Sequence, residues 1–354
     1  MDRHDLTPDQ LLDLLARPTA AEDVATTRGA LLVVEGDAGA APTPDRLARV
    51  AGLPAVIVRV SDADRPDDDP MADVVDVVVP PGDDDLAAIE ATVGSTPLAA
   101  TALALLLRAG PAGSVEAGLV AESAVYSTLQ AGPEFAAWRA RRPVVERPAP
   151  DTPVVDVERH GTRLDVVLDR PEVRNALDAR LRDELCEALT LAVVDPAITE
   201  VHLRGNGPSF CAGGDLDEFG SLPDPATAHL VRLTRSPARL LAALAPRVTA
   251  HLHGACMGSG IELPAFARRV VAHPDTVVGL PELGLGLIPG AGGTVSLPAR
   301  IGRHRTALLA LTARPVDAPT AHAWGLVDGI GSGPVVVVEA APGLAAEQAG
   351  VDHP

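Results

Sequence analysis

Apolar positions along the first part of the chain alternate between helical spacing and short continuous runs. Thr7-Pro8-Asp9-Gln10 opens a helix: Thr7 is the cap, Pro8 sits where no N–H is needed, and Gln10 can reach back to close a capping box. Leu11, Leu12, Leu14 and Leu15 follow at helical spacing. Residues 31–34 and 55–60 are apolar runs of strand length and flank a helix over 44–51. An acidic, proline-bearing loop over 62–70 leads to a strand near 74–79. Residues 84–142 are helical in character, with turns at Gly94, at Gly110-Pro111 and at Gly132-Pro133. The stretch 143–153 holds four prolines and reads as a linker. Beyond it, 154–157 and 164–168 form a strand hairpin, 178–193 is helical, and 198–203 and 248–252 are strands. Strand alternating with helix predicts parallel pairing through crossover helices, an α/β fold. The resulting division is an N-terminal α/β and helical region over 1–142, the linker, a core over 154–330 and a tail over 331–354.

Composition narrows the partners. Of 354 residues, 47% are hydrophobic and only 2% aromatic, so the core must be built from Leu, Val, Ile and Ala. A net charge of −19 argues against a nucleic-acid backbone, which wants clustered Lys and Arg, and against an anionic membrane surface. The polar start Met1-Asp2-Arg3-His4-Asp5 has no apolar signal core behind it, and no apolar run reaches the roughly 18 residues of a membrane span. Cys186, Cys211 and Cys256 form no zinc pattern and suit a reducing compartment, so a cytoplasmic protein without a metal is expected.

Three segments carry candidate chemistry. Ser209-Phe210-Cys211-Ala212-Gly213-Gly214-Asp215-Leu216 follows a strand and is expected to lead into a helix. Small residues let a ligand approach the backbone, and a helix start offers outward N–H groups to an oxyanion. His253-Gly254-Ala255-Cys256-Met257-Gly258-Ser259-Gly260-Ile261-Glu262 repeats that layout and offers a second donor. In residues 280–294 the carboxyl of Glu282 stands in an otherwise apolar, glycine-rich run. A carboxyl buried there is pushed toward its neutral form, as a general acid requires.

Together with Arg170-Pro171-Glu172-Val173-Arg174-Asn175-Ala176-Leu177 and Ala321-His322-Ala323-Trp324-Gly325-Leu326-Val327-Asp328, these segments resemble the crotonase, or enoyl-CoA hydratase/isomerase, superfamily, in its order and spacing over roughly 154–328. The resemblance implies a ββα spiral core and an acyl-CoA thioester substrate. It implies no metal and no cofactor, the CoA being part of the substrate. It also implies a homotrimer or a dimer of trimers and a place in fatty acid metabolism. Carried over, the backbone N–H groups of Gly214 and Ser259 form an oxyanion hole, Ser259 standing where the family usually has glycine. Glu262 and Glu282 fall on the two hydratase carboxyls, the first activating water and the second delivering a proton. Arg174, Ala176, Ala212, Asp215 and Leu216 lie along the CoA. Two glutamates favour enoyl-CoA hydration, a lyase reaction. The alternatives are another crotonase reaction (double-bond isomerisation, dehydration or C–C cleavage) and a non-catalytic partner subunit.

The order of parts departs from that family. Val115-Glu116-Ala117-Gly118-Leu119-Val120-Ala121-Glu122 resembles its leucine-x-x-glutamate helix, and residues 133–143 resemble its closing helix, yet both precede the core. The expectation is a permuted crotonase, in which helices over about 97–142 cover the site, Trp138 is a buried anchor, and Arg139, Arg141 or Arg142 offers a cation to CoA phosphate. His202 and His253 are expected to be structural. Cys211 and Cys256 are expected to pack as small apolar groups. Asp67-Asp68-Asp69 and Asp83-Asp84-Asp85 are expected to be solvated loop charge.

Overall fold

A computed structural model describes residues 3–331 apart from 28, 38–40, 64–65, 111–112, 146–150 and 222–223. The middle of the linker and nearly all of the expected tail lie outside the described residues.

The chain opens with β1 (Arg3–Leu6), α1 (Pro8–Ala16), α2 (Ala20–Thr27), β2 (Leu31–Val34), α3 (Pro44–Val50), β3 (Val56–Val60) and β4 (Val77–Val79). The capping box is complete: Gln10 N–H donates to Thr7 Oγ1 and Thr7 N–H donates to Gln10 Oε1. The four strands form a parallel sheet in the order β1-β2-β3-β4. Leu32, Val34 and Ile57 face Leu11, Leu12, Leu14 and Leu15 of α1. Leu31, Val33, Val56 and Val58, on the other face, enter a core shared with the rest of the chain. β1 was not foreseen, because its four residues are mostly polar and only Leu6 is buried.

Four helices follow: α4 (Asp84–Ser95), α5 (Pro97–Ala109), α6 (Val115–Gln130) and α7 (Pro133–Arg141). Gly94 lies inside α4 and does not end it; the break comes at Thr96, where Pro97 starts α5 and the axes bend by 113°. No single helix among the described residues is long and apolar enough to cross a membrane.

The remaining elements are β5 (Val155–His160), β6 (Arg163–Leu168), α8 (Ala179–Val194), β7 (Glu200–Gly205), α9 (Pro225–Thr234), α10 (Pro237–Leu244), β8 (Val248–Leu252), β9 (Ala255–Met257), α11 (Ser259–Glu262), β10 (Arg269–Ala272), β11 (Val277–Gly279), α12 (Gly293–Thr312), β12 (Val316–Asp317), α13 (Ala318–Trp324) and β13 (Gly329–Ile330). A six-stranded sheet runs β13-β10-β8-β7-β6-β5, antiparallel only at the β5–β6 hairpin. A smaller sheet, β12-β11-β9, carries the second glycine-rich turn.

The N-terminal sheet is fastened to α12 beyond its break at Gly302 (φ 78°). There Arg303 donates to the carbonyls of Val75 (2.7 Å) and Ala72 (2.6 Å), and His304 Nδ1 meets the Asp76 carbonyl at 3.1 Å. Arg108 of α5 binds both carboxylate oxygens of Asp76 and the carbonyls of Val50, Leu53 and Ala55. The acidic runs are more structural than expected. Asp69 is buried against Arg59 at 3.2 Å and held below the ordinary carboxylate range by donors that outweigh its burial. Asp83 caps α4, and Asp85 pairs with Arg314 at 2.8 Å.

Candidate active site

Two glycine-rich turns meet first. Asn175 is fully buried, with φ 54°. Its amide donates to the carbonyls of Asn206, Ser209 and Phe210, and its Oδ1 accepts from Arg170 N–H. This clamp fixes the approach to residues 211–214. There Cys211 bridges Cys256 in parallel fashion, and Met257 N–H donates to Cys211 O at 3.1 Å. A side chain at Gly260 would collide with Cys211 O, so the two turns pack backbone to backbone. Around them the N–H groups of Ala212, Asp215, Gly258, Ile261 and Glu262 all have backbone acceptors. Those of Gly214 and Ser259 donate to none among the described residues.

One expectation is corrected here. No helix starts at Gly214; residues 216–220 are turns, and the next helix is α9. The Asp215 carboxylate accepts from Asp217 N–H, and Gly220 adopts φ 79°, both of which favour turns over helix. Ser259 does begin a helix, but α11 is a single turn.

Three carboxyls lie beside these turns, Glu122, Glu262 and Glu282, at 2%, 2% and 9% exposure. Glu262 Oε2 accepts from Ala291 N–H (2.7 Å) and Gly293 N–H (2.9 Å). Glu122, on α6, accepts from Gly292 N–H (2.7 Å), Thr294 N–H (2.9 Å) and the Thr294 hydroxyl (2.7 Å). Glu282 Oε2 is buried without a partner among the described residues. Gly258 (φ 49°) separates two of them: a Cβ there would collide with Glu282 Oε1 and lie 3.7 Å from Glu262 Oε1. One oxygen of each carboxyl therefore approaches the same point on the Gly258 backbone.

Burial dominates their ionisation. It pushes Glu282 up to about 8, the charge of Glu122 adding to the effect. It pushes Glu122 up to about 7 against donors from Thr294 and Gly292. Glu262 is raised by burial and then by the charges of Glu282 and Glu122. The two N–H donors on Glu262 favour its ionised form, whereas Glu282 Oε2 has none. Burial outweighs these donors and the Glu282 backbone N–H alike, so both carboxyls are pushed toward the neutral form.

A small aromatic cluster lies beside Gly214. Phe219 covers Gly214, where a Cβ would come within 2.6 Å of its ring. Trp138 lies between Phe135 (5.6 Å) and Phe219 (6.3 Å). The buried anchor is Phe135, at 5% exposure; Trp138 is half-buried, because one side of its indole stays at the surface of α7. Arg139 donates to Leu216 O, and Arg142 pairs with Asp217 at 3.7 Å, so both hold the 216–221 loop; Arg141 is exposed.

A family model described as Enoyl-CoA hydratase/isomerase matches residues 158–349. The chain belongs to the crotonase (enoyl-CoA hydratase/isomerase) superfamily. It adds an N-terminal region outside that match, and crotonase-family enzymes typically need no cofactor. The chain is 38% identical over 164 residues to YngF of Bacillus subtilis (strain 168), which carries an enoyl-CoA hydratase/isomerase name; this spans 46% of the chain and 63% of YngF. It is 35% identical over 174 residues to the 2,3-dehydroadipyl-CoA hydratase of Escherichia coli (strain K12), spanning 49% of the chain and 68% of that enzyme. The solved enoyl-CoA hydratase from Thermoplasma volcanium GSS1 shares 34% identity over 51% of this chain and 72% of its own, with a TM-score of 0.47.

Among the residues expected along the CoA, Arg174 is exposed in a left-handed conformation and its carbonyl accepts from Ala212 N–H. Ala176, Ala212 and Leu216 are half-buried. The Asp215 carboxylate is buried and paired with Arg170 at 3.5 Å, which also binds Asp178 at 2.8 Å. His253 is structural, its Nε2 meeting Gly207 O at 2.9 Å, and His202 pairs with His251 on the next strand at 3.0 Å. Glu122, Asn175 and Thr294 were not foreseen in the site. Glu122 stood in a helix expected to cover the site, but nothing in the sequence said that its carboxylate meets Gly292 and Thr294.

Proposed function

We propose that this protein hydrates an enoyl-CoA. The observation that carries the reading is the convergence of Glu262 Oε1 and Glu282 Oε1 on one point of the Gly258 backbone. A water bound by both oxygens would lie against one ionised and one neutral carboxyl. Glu262 takes a proton from the water as its oxygen bonds to Cβ. The electron pair of the double bond moves onto the thioester, and its oxygen gains negative charge. The N–H groups of Gly214 and Ser259, without acceptors of their own, receive that charge. One such donor is worth about 10²–10³ in rate. Glu282 then gives its proton to Cα, and proton exchange between the carboxyls resets the pair. General acid–base help of this kind contributes about 10²–10⁴.

The arrangement of parts supports a permuted crotonase, with a ββα spiral core over 154–330 joined by the 143–153 linker to helices within 1–142 that take the place of the family's closing helices. Phe135 and Trp138 on α7, with Phe219, screen the donors from water, which strengthens their effect. The reading includes a cytoplasmic homotrimer or dimer of trimers acting in acyl-CoA metabolism. The test is a panel of enoyl-CoAs offered to the purified full chain in ¹⁸O-labelled water. The expected product is a 3-hydroxyacyl-CoA carrying the label. An unlabelled, double-bond-shifted product would replace hydration by isomerisation, and no turnover across the panel would leave a non-catalytic crotonase.

A further inference from the structure

Four successive backbone N–H groups at the start of α12 are divided between two carboxylates. Ala291 and Gly293 donate to Glu262, at 2.7 and 2.9 Å; Gly292 and Thr294 donate to Glu122, at 2.7 and 2.9 Å. The Thr294 hydroxyl adds a third bond to Glu122 at 2.7 Å. A helix leaves its first N–H groups unpaired, and their partial positive charge favours carboxylates. Here the two carboxylates take alternate positions, so the turn is gripped on both sides. With its Oε2 fixed by this turn, Glu262 has only Oε1 left to face Gly258 and Glu282.

Resting on the hydratase reading, we infer that Glu122, delivered by α6, is a positioning residue for Glu262: it locks the 291–294 turn and thereby fixes where the Glu262 Oε1 atom points. Without Glu122 the buried N–H groups of Gly292 and Thr294 lose their acceptor. The carboxylate already bound to the alternate N–H groups of this turn is Glu262, and turning toward them would draw it away from Glu282. Glu122 also acts through its charge. The charged and titratable groups around it are Glu262, Glu282, Tyr126 and Arg232, with His229 one step away through Ser123. Arg232 lies over the Tyr126 ring at 4.6 Å, and its charge favours the ionised form of Glu122. A charged Glu122 raises both Glu262 and Glu282. Removing that charge therefore lowers both.

The experiment compares wild type, Glu122→Gln and Thr294→Val by two readouts. The first is ¹³C NMR titration of labelled glutamate carboxyls in the ligand-free full chain, which does not depend on turnover. The second is the pH profile of kcat and kcat/KM for enoyl-CoA hydration. For Glu122→Gln the Glu262 and Glu282 titrations should move to lower pH, and both limbs of the profile with them. kcat should fall by about 10–100-fold, on the order expected for a misplaced catalytic group, with KM little changed. Thr294→Val deletes only the hydroxyl donor. It should move the titrations the same way by less, and it carries the test if Glu122→Gln does not fold. Unmoved titrations and an unmoved profile in the folded variants overturn the inference and leave Glu122 a helix cap. Shifted titrations in a chain whose wild type hydrates nothing support the coupling and remove the hydratase reading instead.

Discussion

Replacing Glu282 by Gln should separate stability from activity, with opposite signs at neutral pH. An ordinary glutamate ionises near 4.5, whereas burial holds Glu282 protonated up to about 8. Between those values the folded chain keeps a proton that the unfolded chain releases. Stability therefore falls as pH rises through this window, by about 1.4 kcal/mol per pH unit. From pH 5 to 8 the loss on this one group is roughly 4 kcal/mol, and above about 8 it is complete. Gln has the same shape and does not titrate. Burying its amide still costs about 1–3 kcal/mol, since Oε2 has no partner to offer it. That cost is independent of pH. The difference in unfolding free energy between variant and wild type should therefore climb by about 4 kcal/mol from pH 5 to pH 8, destabilising at the acid end and stabilising at the other. Urea unfolding at several pH values measures it. Over the same range hydration, followed by loss of the enoyl thioester absorbance, should drop by about 10²–10⁴. A stability difference that stays flat across the window would refute the assignment of a raised Glu282. Undiminished turnover would refute its part in catalysis.

Glu262→Gln should cost about 10²–10⁴ in hydration with the fold retained, because the Gln carbonyl oxygen can still accept both N–H bonds that converge on Oε2; near-normal turnover would end its role as the base. Gly258→Ala should reduce kcat by at least about 10-fold, as a modest displacement of a catalytic group does. Its Cβ has no room beside Glu282 Oε1, and φ 49° already disfavours alanine; wild-type kinetics would show that the reaction does not take place beside Gly258. A chain beginning at Asp151 should lack a cooperative thermal transition, because it loses the Glu122 bonds and the helices packed on α12; a folded, fully active fragment would make the first 150 or so residues a separate module.

Most elements were legible because local signals and tertiary outcome agreed. The capping box at Thr7, the apolar run at 31–34, the alternating strand at 248–252, and the Gly110 and Gly132 turns each need only neighbouring residues. The misreadings occur where a distant partner decides. Arg3–Leu6 is a strand because β2 pairs with it, not because its own pattern asks for one. Asp69 reads as solvated until Arg59 reaches it from β3. The turn after Gly214 looked like a helix start, yet the Asp215 side chain binds Asp217 N–H and Arg170, which keeps it irregular. In the site, Glu262 and Glu282 could be matched to motifs. Glu122 meets Gly292 and Thr294 across separations of 170 and 172 residues, which no local pattern encodes.

The glycines of residues 286–293 show why the helices that precede the core fit it. The sequence marked this run only as apolar and glycine-rich, and much of the space around its glycines is filled by protein. Gly286 adopts φ 72° and faces the Glu134–Phe135 backbone, at 2.6 Å from where its Cβ would stand to Phe135 N. Gly290 lies under the ring of Tyr126, and Gly293 under the Glu262 side chain. By contrast Gly284 meets nothing within 4 Å. A side chain at Gly286 or Gly290 would push α7 or α6 away, and with α6 the Glu122 carboxylate. These contacts depend on shape and not on chain order. The entropy of closing a connecting loop grows only by about 0.6 kcal/mol per doubling of its length. Helices attached before the core through a proline-rich connection can therefore dock as well as helices attached after it. The glycine spacing, not the position of α6 and α7 along the chain, is what such a docking requires.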